Sequence, residues 1–309
     1  MRRSRSAVLG AGLLALALFA AACGGDSGGD GNGADGGEKP TLSVGFVAFA
    51  ENQIVAEMYA QVLEDAGYTV ERQSTDSREV LQPALQDGQV DIAPEYLSSL
   101  LLFIDPEATA SGDADATRAT LEPLLEQQGQ VLLDSAEAND TNAFVVTAET
   151  AQEHSLTTMS DLAPVAGDLT LGGPPECPER PFCIPGLQET YGVEFGEFKP
   201  LDVGGPLTVE ALDAGEIDVA LLFSTSSTIG DKGWVVLEDD KALQNAENIT
   251  PVVRKEVLDA NPDVAELLNG IGAQLDSQTM IELNGRVEID QEDPADVAAD
   301  FLEEKELLG

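Results

Sequence analysis

The sequence is poor in the residues that most catalytic and metal sites use. It contains one histidine, His154, and three cysteines among 309 residues. A lone histidine in a polar helical segment gives little basis for a zinc centre or a Ser-His-Asp triad. The His-Glu-x-x-His zinc motif and the Gly-x-x-x-x-Gly-Lys-Ser/Thr phosphate-binding loop are both absent from the sequence. We therefore expect a protein that is not an enzyme and that needs no metal and no cofactor.

Basic residues are also scarce. The chain has 15 lysines and arginines against 57 aspartates and glutamates, which gives a formal net charge of −42. Because a nucleic-acid-binding surface needs a basic footprint, we expect no nucleic-acid partner. An acidic surface favours solubility and says little about the fold.

Long apolar runs are confined to the N-terminus. Three arginines precede an apolar stretch at residues 7–22, which is short for a membrane span and has the length of a signal-peptide core. The small residues before Cys23 resemble a bacterial lipobox, in which the cysteine becomes the lipidated N-terminus of the mature chain. We predict a signal peptide over residues 1–22 and a lipid on Cys23.

A polar segment follows the lipidated cysteine. Residues 24–39 are almost entirely Gly, Asp, Ser, Asn and Ala, a composition that buries no apolar surface and stays flexible. We therefore predict that residues 23–40 form the lipidated cysteine and its tether. The anchor would place the globular part outside the cytoplasm, held at the outer face of the bacterial cell membrane.

Cys177 and Cys183 remain as an even pair in an exported chain. Structural disulfides are common in such a compartment. We predict one short-loop disulfide between them. A metal site is less well supported, because His154 is the only histidine available, and a reactive thiol would be unusual in a secreted protein.

Strand and helix patterns alternate from residue 41 onwards. Residues 41–47 read as a buried strand, and residues 51–66 carry apolar side chains near the 3.6-residue helical period. Similar alternation continues along the chain, and helical patterns close it from residue 263. This order predicts an α/β fold with a largely parallel sheet.

Two segments of the chain resemble each other. Residues 84–93 read ALQDGQVDIA, and residues 211–220 read ALDAGEIDVA. Each contains the end of a helix, a glycine suited to a left-handed cap and a short strand with an aspartate. Three residues beyond each segment lies an aromatic residue, Tyr96 in one and Phe223 in the other. The repetition predicts two similar lobes whose corresponding loops face each other.

We place lobe 1 at residues 41–141 with 248–309, and lobe 2 at residues 142–247. In open α/β sheets, ligands bind beyond the carboxyl ends of the strands. Small hydroxyl residues that include Ser99 and Thr225 follow the two aromatic residues at such ends. We therefore predict a cleft between the lobes that closes on a small molecule.

Short segments along the globular part form a recognisable series. They are residues 51–54 with 59–60, 91–96, 140–143, Arg180 with 185–187, 215–218, 224–225, 239–241 and 251–254. In their order and spacing they resemble the osmoprotectant-binding proteins that serve glycine betaine, choline and carnitine ABC importers. The resemblance implies a two-lobed periplasmic-binding-protein type II fold.

The resemblance also implies a function. It implies an extracytoplasmic receptor that captures a small cationic or zwitterionic solute and delivers it to ABC transporter permease subunits. A quaternary-ammonium osmoprotectant such as glycine betaine or choline is the expected ligand, and we expect a monomer. The alternatives are the same fold with a different polar or aromatic solute, and a surface lipoprotein that senses a solute without transporting it.

The family surrounds the quaternary ammonium with tyrosines and meets the carboxylate with a basic residue. Aromatic faces suit a cation without N–H donors, and the arginine fork suits a carboxylate. Tyr96 and Arg180 keep these places. Asn142, Phe223 and Glu247 stand where the family has tyrosines, so the resemblance implies an altered cage.

Acidic residues offer another way to hold a cation, since Glu247 and Asp140 supply negative charge where the family has ring faces. Phe49 in the first loop is a further aromatic candidate. The predicted ligand-binding residues are Phe49, Tyr96, Ser99, Asp140, Asn142, Arg180, Phe223, Thr225 and Glu247.

Several of these residues could instead have a purely structural role. The alternatives are core packing for Tyr96 and Phe49, pairing with Glu176 or Glu179 for Arg180, hydrogen bonding in the hinge for Asp140 and Asn142, and an ordinary surface position for Glu247.

Overall fold

A computed structural model describes residues 39–309. The predicted signal peptide, Cys23 and nearly all of the predicted tether lie outside these residues. The strands are β1 Thr41–Val47, β2 Thr69–Thr75, β3 Ile92–Tyr96, β4 Gln130–Leu132, β5 Asn142–Val146, β6 Thr170–Gly173, β7 Glu197–Pro200, β8 Val219–Phe223, β9 Val235–Val236 and β10 Ile249–Arg254.

Helices connect these strands and close the chain. They are α1 Ala50–Asp65, α2 Arg78–Gln86, α3 Leu97–Ile104, α4 Ala114–Gln127, α5 Ala148–His154, α6 Ile184–Gly186, α7 Pro206–Asp213, α8 Ser227–Lys232, α9 Lys255–Ala260, α10 Asp263–Gly272, α11 Ser277–Glu288 and α12 Pro294–Glu304. Short 3₁₀ turns lie at Met159–Leu162, Ala166–Asp168 and Cys177–Glu179, and a π-helical turn lies at Leu187–Tyr191.

Helix α1 shows how the apolar period fixes an element. The apolar side chains that follow the helical spacing are all buried, namely Ile54, Val55, Met58, Tyr59, Val62 and Leu63. The helix stops before Gly67, whose φ of 94° lies in a region that glycine enters without strain. Two polar residues of its first turn, Glu51 and Asn52, are buried as well and belong to the site described below.

Two five-stranded sheets organise residues 39–309. Their strand orders are β2-β1-β3-β10-β4 and β7-β6-β8-β5-β9. The two orders correspond position by position, and the two similar sequence segments supply the equivalent central strands β3 and β8. We refer to the first sheet with α1–α4 and α9–α12 as lobe 1, and to the second sheet with α5–α8 as lobe 2.

The repeated segments also play matching structural roles. Gly88 and Gly215 take left-handed φ values of 72° and 68° where the chain leaves α2 and α7. The carboxylates of Asp91 and Asp218 accept hydrogen bonds from backbone N–H groups of β1 and β6, at 2.9 and 2.8 Å. These aspartates therefore hold neighbouring strands together in both lobes.

Both sheets are mixed: four strands of each run in one direction, as the prediction of a largely parallel sheet expects, and the fifth runs against them, which was not predicted. Strand β10 runs antiparallel to β3 and β4, and β5 runs antiparallel to β8 and β9. The reason is topological, because β5 and β10 are the strands that carry the chain from one lobe into the other. A strand that enters its sheet from the cleft runs against strands whose carboxyl ends point towards the cleft.

The two crossings lie side by side. The backbone N–H of Asp140 donates to the carbonyl of Glu247 at 3.1 Å, and Asn139 pairs with Asn248 in an antiparallel bridge. Separate apolar clusters pack around the two sheets. The chain therefore passes between the lobes through two adjacent strands, with a cleft beside them, and residues at the start of α8 also contact Glu288 of α11 across the lobes.

Candidate functional site

A cavity of about 370 Å³ lies between the two lobes. Phe49 follows β1, Tyr96 ends β3 and Phe223 ends β8, while Asn142 and Glu247 sit on the two crossings. Loops at the carboxyl ends of strands can present side chains without breaking the sheet ladder, which is why ligands of open α/β sheets bind there. A volume of this order suits a small molecule.

Three aromatic rings form one wall of this cavity. The ring centroids of Phe49 and Tyr96 are 6.1 Å apart, and those of Phe49 and Phe223 are 5.1 Å apart. These spacings are typical of favourable aromatic pairs. Phe49 and Tyr96 belong to lobe 1 and Phe223 to lobe 2, so the wall joins both lobes. Ring faces attract cations, and this wall is therefore a candidate cation subsite.

A second cavity, also about 370 Å³, shares Phe49, Asp140, Val203 and Phe223 with the first. Glu51, Thr225 and Asn284 line this second space. The two aromatic side chains therefore belong to a partition that borders both cavities.

A buried polar network lies beside the aromatic wall. The hydroxyl of Tyr96 donates to Glu51 at 2.8 Å, and the hydroxyl of Thr225 donates to the same carboxylate at 2.6 Å. The side-chain amide of Asn284 donates to it at 3.3 Å. Because Glu51 and Asn284 come from lobe 1 and Thr225 from lobe 2, this network connects the lobes by hydrogen bonds next to the two crossing strands.

Asp140 belongs to the same network. Its carboxylate accepts a hydrogen bond from the backbone N–H of Thr225 at 3.0 Å. Burial, together with the nearby Glu51 carboxylate, raises the pKa of Asp140 well above its usual range. Burial also raises the pKa of Glu51. Two carboxyl groups this close in a dry site resist ionising together.

Glu247 is buried at the end of the second crossing, with 3% of its surface exposed. Its carboxylate accepts hydrogen bonds from the hydroxyl of Ser99 at 2.7 Å and from the backbone N–H of Ser99 at 3.1 Å. Ser99 lies in the first turn of α3, where backbone N–H groups have no partner within the helix and attract negative charge. Burial raises the pKa of Glu247 to about 7.

Two arginines line the cavity, and each is paired with a carboxylate of lobe 1. The guanidinium of Arg78 lies 2.7 Å from Glu95, and both side chains are largely buried. The guanidinium of Arg180 lies 2.8 Å from Glu79. Burial and the positive charge of Arg78 lower the pKa of Arg180. Since Arg180 belongs to lobe 2, its pair with Glu79 crosses the cleft.

The loop that carries Arg180 lies between Cys177 and Cys183. The Cα atoms of Cys177 and Cys183 lie 5.3 Å apart, a separation that suits a disulfide. The carbonyl of Phe182 accepts a hydrogen bond from the side chain of Asn142 at 3.1 Å. Asn142 thus supports the loop as well as lining the cavity.

Acidic groups outnumber basic groups around the cavity. Its lining includes the carboxyl groups of Glu79, Glu95, Asp140, Glu176, Glu179 and Glu247 and the guanidinium groups of Arg78 and Arg180. Carboxylates that line a cleft create a negative potential. Because the pKa values of Asp140 and Glu247 are raised, this negative potential grows as the pH rises. With its aromatic wall, the cavity is complementary to a cation when these groups are ionised.

Residues 40–304 match the family described as the substrate binding domain of ABC-type glycine betaine transport system. The chain belongs to this family. A glycine-betaine-binding protein of Pseudomonas aeruginosa is 34% identical over 279 residues, which cover 87% of this chain and 89% of that relative. The carnitine transport binding protein OpuCC of Listeria monocytogenes is 27% identical over 307 residues, which cover 98% of this chain and 97% of OpuCC.

Solved structures agree with this assignment. A crystal structure of a glycine betaine/carnitine/choline ABC transporter superimposes with a TM-score of 0.68 at 27% identity, and it covers 87% of this chain and 100% of that chain. The predicted membership of the glycine betaine transport family and the predicted two-lobed fold are both confirmed. The relatives named are solute-binding proteins, as predicted for this chain.

The structure brings eight of the nine predicted ligand residues to the cleft of this glycine betaine transport family member. They are Phe49, Tyr96, Ser99, Asp140, Asn142, Arg180, Phe223 and Glu247. Thr225 does not line that cavity, because its hydroxyl turns to Glu51 in the buried polar network. Arg180 pairs with Glu79 at 2.8 Å, whereas the alternative partner Glu176 lies 3.9 Å away.

The lining residues that sequence reasoning missed include Arg78, Glu79, Glu95, Phe103 and Phe182. Glu95 lies inside one of the segments that carry the family resemblance. Nothing in the 17-residue separation of Arg78 and Glu95 signals that they form an ion pair. Phe103 lies on α3, which starts directly after β3 without a turn residue and was not predicted.

Two further observations concern membrane-spanning helices and metal ligands within residues 39–309. Within this range, the helices are too short or too polar to cross a bilayer. Over the same residues, His, Cys, Asp and Glu side chains do not gather in any group of three or more that could hold a metal ion.

The position of Glu247 leads to a test by pH. Its pKa is raised from 4.5 to about 7, so the folded chain binds this proton more tightly than the unfolded chain does. The stability that Glu247 contributes is therefore present below pH 4.5 and falls as the pH rises towards 7, by about 3 kcal/mol. We expect Glu247→Gln to remove this loss.

Urea denaturation at pH 5 and at pH 7.5 gives the free energy of unfolding of wild type and of the variant, and the effect of Glu247 is the difference in how the two change with pH. Glu303→Gln, at an exposed position on α12, serves as the control. The same pH slope in wild type and in Glu247→Gln would show that Glu247 titrates normally.

Proposed function

We propose that the protein is the extracytoplasmic solute receptor of an ABC importer. Its two lobes close on a small cationic or zwitterionic solute of the quaternary-ammonium class and release it to the permease subunits. The observation that carries the proposal is the interlobe cavity, whose aromatic wall of Phe49, Tyr96 and Phe223 lies among an excess of carboxyl groups. The protein binds the solute without chemical turnover and works as a monomer.

Closure follows from how the lobes are connected. Two adjacent crossing strands join them, and the ligand cavity lies beside these strands. A rotation about this connection changes the width of the cleft while leaving both cores intact, as in other hinge-bending receptors. We assign residues 41–141 and 248–309 to one rigid body and residues 142–247 to the other.

The names of the relatives support the ligand class. The relative from Pseudomonas aeruginosa is named for glycine betaine, and the one from Listeria monocytogenes for carnitine. Both solutes carry a quaternary ammonium, and a ring face is the favoured partner of such a cation.

A thermal-shift screen of the mature protein with choline, glycine betaine and carnitine tests the assignment. A bound solute at a hundred times its Kd stabilises the folded state by about 2.7 kcal/mol, enough to raise the Tm measurably. A result in which none of the three raises the Tm would remove the quaternary-ammonium class from the proposal. It would leave the receptor fold in place.

The anchor is part of the proposal, and it leads to a prediction for Cys23. We expect the wild-type protein to fractionate with membranes and the Cys23→Ala variant to be released from them, because a lipid supplies most of the membrane affinity of an otherwise polar protein. Membrane fractionation and mass spectrometry of the N-terminus measure this. An unmodified Cys23 in the native protein would contradict the anchor.

The disulfide between Cys177 and Cys183 completes the proposal, and mass spectrometry under non-reducing conditions tests it.

A further inference from the structure

The contact between Glu79 and Arg180 bears on which solute the cleft accepts. Arg180 is one of the two arginines that line the cavity, and its Nε and one terminal nitrogen both contact Glu79, at 3.1 and 2.8 Å. Glu79 lies in the first turn of α2 in lobe 1, across the cleft from Arg180. A carboxylate of the protein therefore already occupies the guanidinium that a betaine carboxylate would need.

The second arginine of the cleft is also engaged. Arg78 contacts Glu95 through Nε at 2.8 Å and through a terminal nitrogen at 2.7 Å. The side chains of this pair are 11% and 3% exposed, so separating them would leave two buried charges without partners. Both guanidinium groups of the cavity are thus matched by carboxylates of the chain itself.

We propose that Glu79 determines ligand specificity by acting as a built-in carboxylate on Arg180, so that the cleft selects a net organic cation such as choline over a zwitterion such as glycine betaine. The inference rests on the proposed receptor function and narrows its ligand class. A betaine carboxylate that displaced Glu79 would still lie beside it, and two like charges at close range repel. A choline-like cation brings no carboxylate and leaves the pair intact.

Glu247 also contributes to the preference for a net cation over a zwitterion. It is a buried carboxylate on the cavity wall, and its two oxygens accept hydrogen bonds from the hydroxyl and the backbone N–H of Ser99. These two donors do not neutralise its negative charge when it is ionised. A ligand cation near the wall of Phe49, Tyr96 and Phe223 meets this charge, whereas a zwitterion gains less from it because its own carboxylate lies close to its cation.

Isothermal titration of choline and glycine betaine at pH 8 tests the assignment. We expect wild type to bind choline about tenfold or more tightly than glycine betaine, a difference of about 1.4 kcal/mol. Glu79→Gln keeps the shape of the side chain and frees Arg180, so we expect it to improve glycine betaine binding about tenfold and to reduce the preference for choline. Glu247→Gln should weaken choline more than glycine betaine.

Glu176→Gln is the matched control. Glu176 lines the same cavity and carries the same charge, but its carboxylate lies 3.9 Å from Arg180. If the gain in glycine betaine affinity came from lowering the negative charge in general, this variant would show it as well. The proposal requires the gain in Glu79→Gln and its absence in Glu176→Gln.

The possible failures are distinguishable. If wild type binds glycine betaine as tightly as choline, or if Glu79→Gln leaves the ratio of their affinities unchanged, Glu79 does not set the specificity, while the receptor function stands. If neither solute binds wild type or any variant, the quaternary-ammonium ligand class itself is wrong, and the specificity assignment falls with it.

Discussion

Tyr96→Ala is expected to weaken solute binding about a hundredfold. The substitution removes the ring at the end of β3 that packs 6.1 Å from Phe49, and a cation held against such a wall loses about 2 kcal/mol or more when a desolvated ring face is deleted. The loss of apolar contact area adds to this amount. Titration of the solute that gives the largest thermal shift measures the change in Kd.

Tyr96→Phe is the matched control for this test. It keeps the ring and removes only the hydroxyl that donates to Glu51 at 2.8 Å. We expect its affinity to stay within about threefold of wild type, with a stability loss of about 1 to 3 kcal/mol because the buried carboxylate loses a donor. If Tyr96→Ala folds, by circular dichroism, and binds like wild type, the cleft assignment is wrong.

Glu51→Ala is expected to destabilise the protein by about 3 to 5 kcal/mol. The substitution leaves the hydroxyls of Tyr96 and Thr225 and the amide of Asn284 without their shared acceptor, at a position that is 2% exposed. It also creates a cavity between the lobes. Urea denaturation at pH 6 measures the loss.

Glu51→Gln separates the role of shape from that of charge. It retains an acceptor oxygen and the size of the side chain, and it removes the like-charge contact with Asp140. Burial raises the pKa of both Glu51 and Asp140, so both groups reduce the stability of the folded chain as the pH rises above their unfolded values. We therefore expect Glu51→Gln to be less destabilising than Glu51→Ala, and its deficit to shrink at pH 8. Equal losses for both variants would show that the carboxylate charge is essential.

The sequence contains strong signals for the fold of this chain. The helical period of 51–66 predicts α1 within one residue at each end, because tertiary packing and local preference agree there. The matching segments at 84–93 and 211–220 predict the equivalence of β3 and β8, which the two strand orders show.

Sequence reasoning did not predict the structural features that depend on residues far apart in the chain. The direction of β5 and β10 depends on which lobe the chain is leaving, and a local pattern does not encode that. Helix α3 begins at Leu97 directly after β3, so no glycine or proline marks the boundary.

The site shows the same division between local and distant information. Tyr96 and Phe223 could be placed at the cleft because they end similar strands, and the structure brings both to the cavity. That Arg180 would meet Glu79, 101 residues away, had no local signal in a chain with 57 acidic residues. In such a chain, only the folded geometry identifies which carboxylates contact an arginine.

The partition between the two cavities has a consequence for how such receptors diverge. Phe49 and Phe223 are side chains, and both cavities reach them. Asp140 and Val203 border both cavities as well. A smaller side chain at Phe49 or Phe223 would bring the two cavities closer to a single, longer chamber while leaving both sheets and the crossing strands in place. Solute size can thus evolve independently of the closing motion.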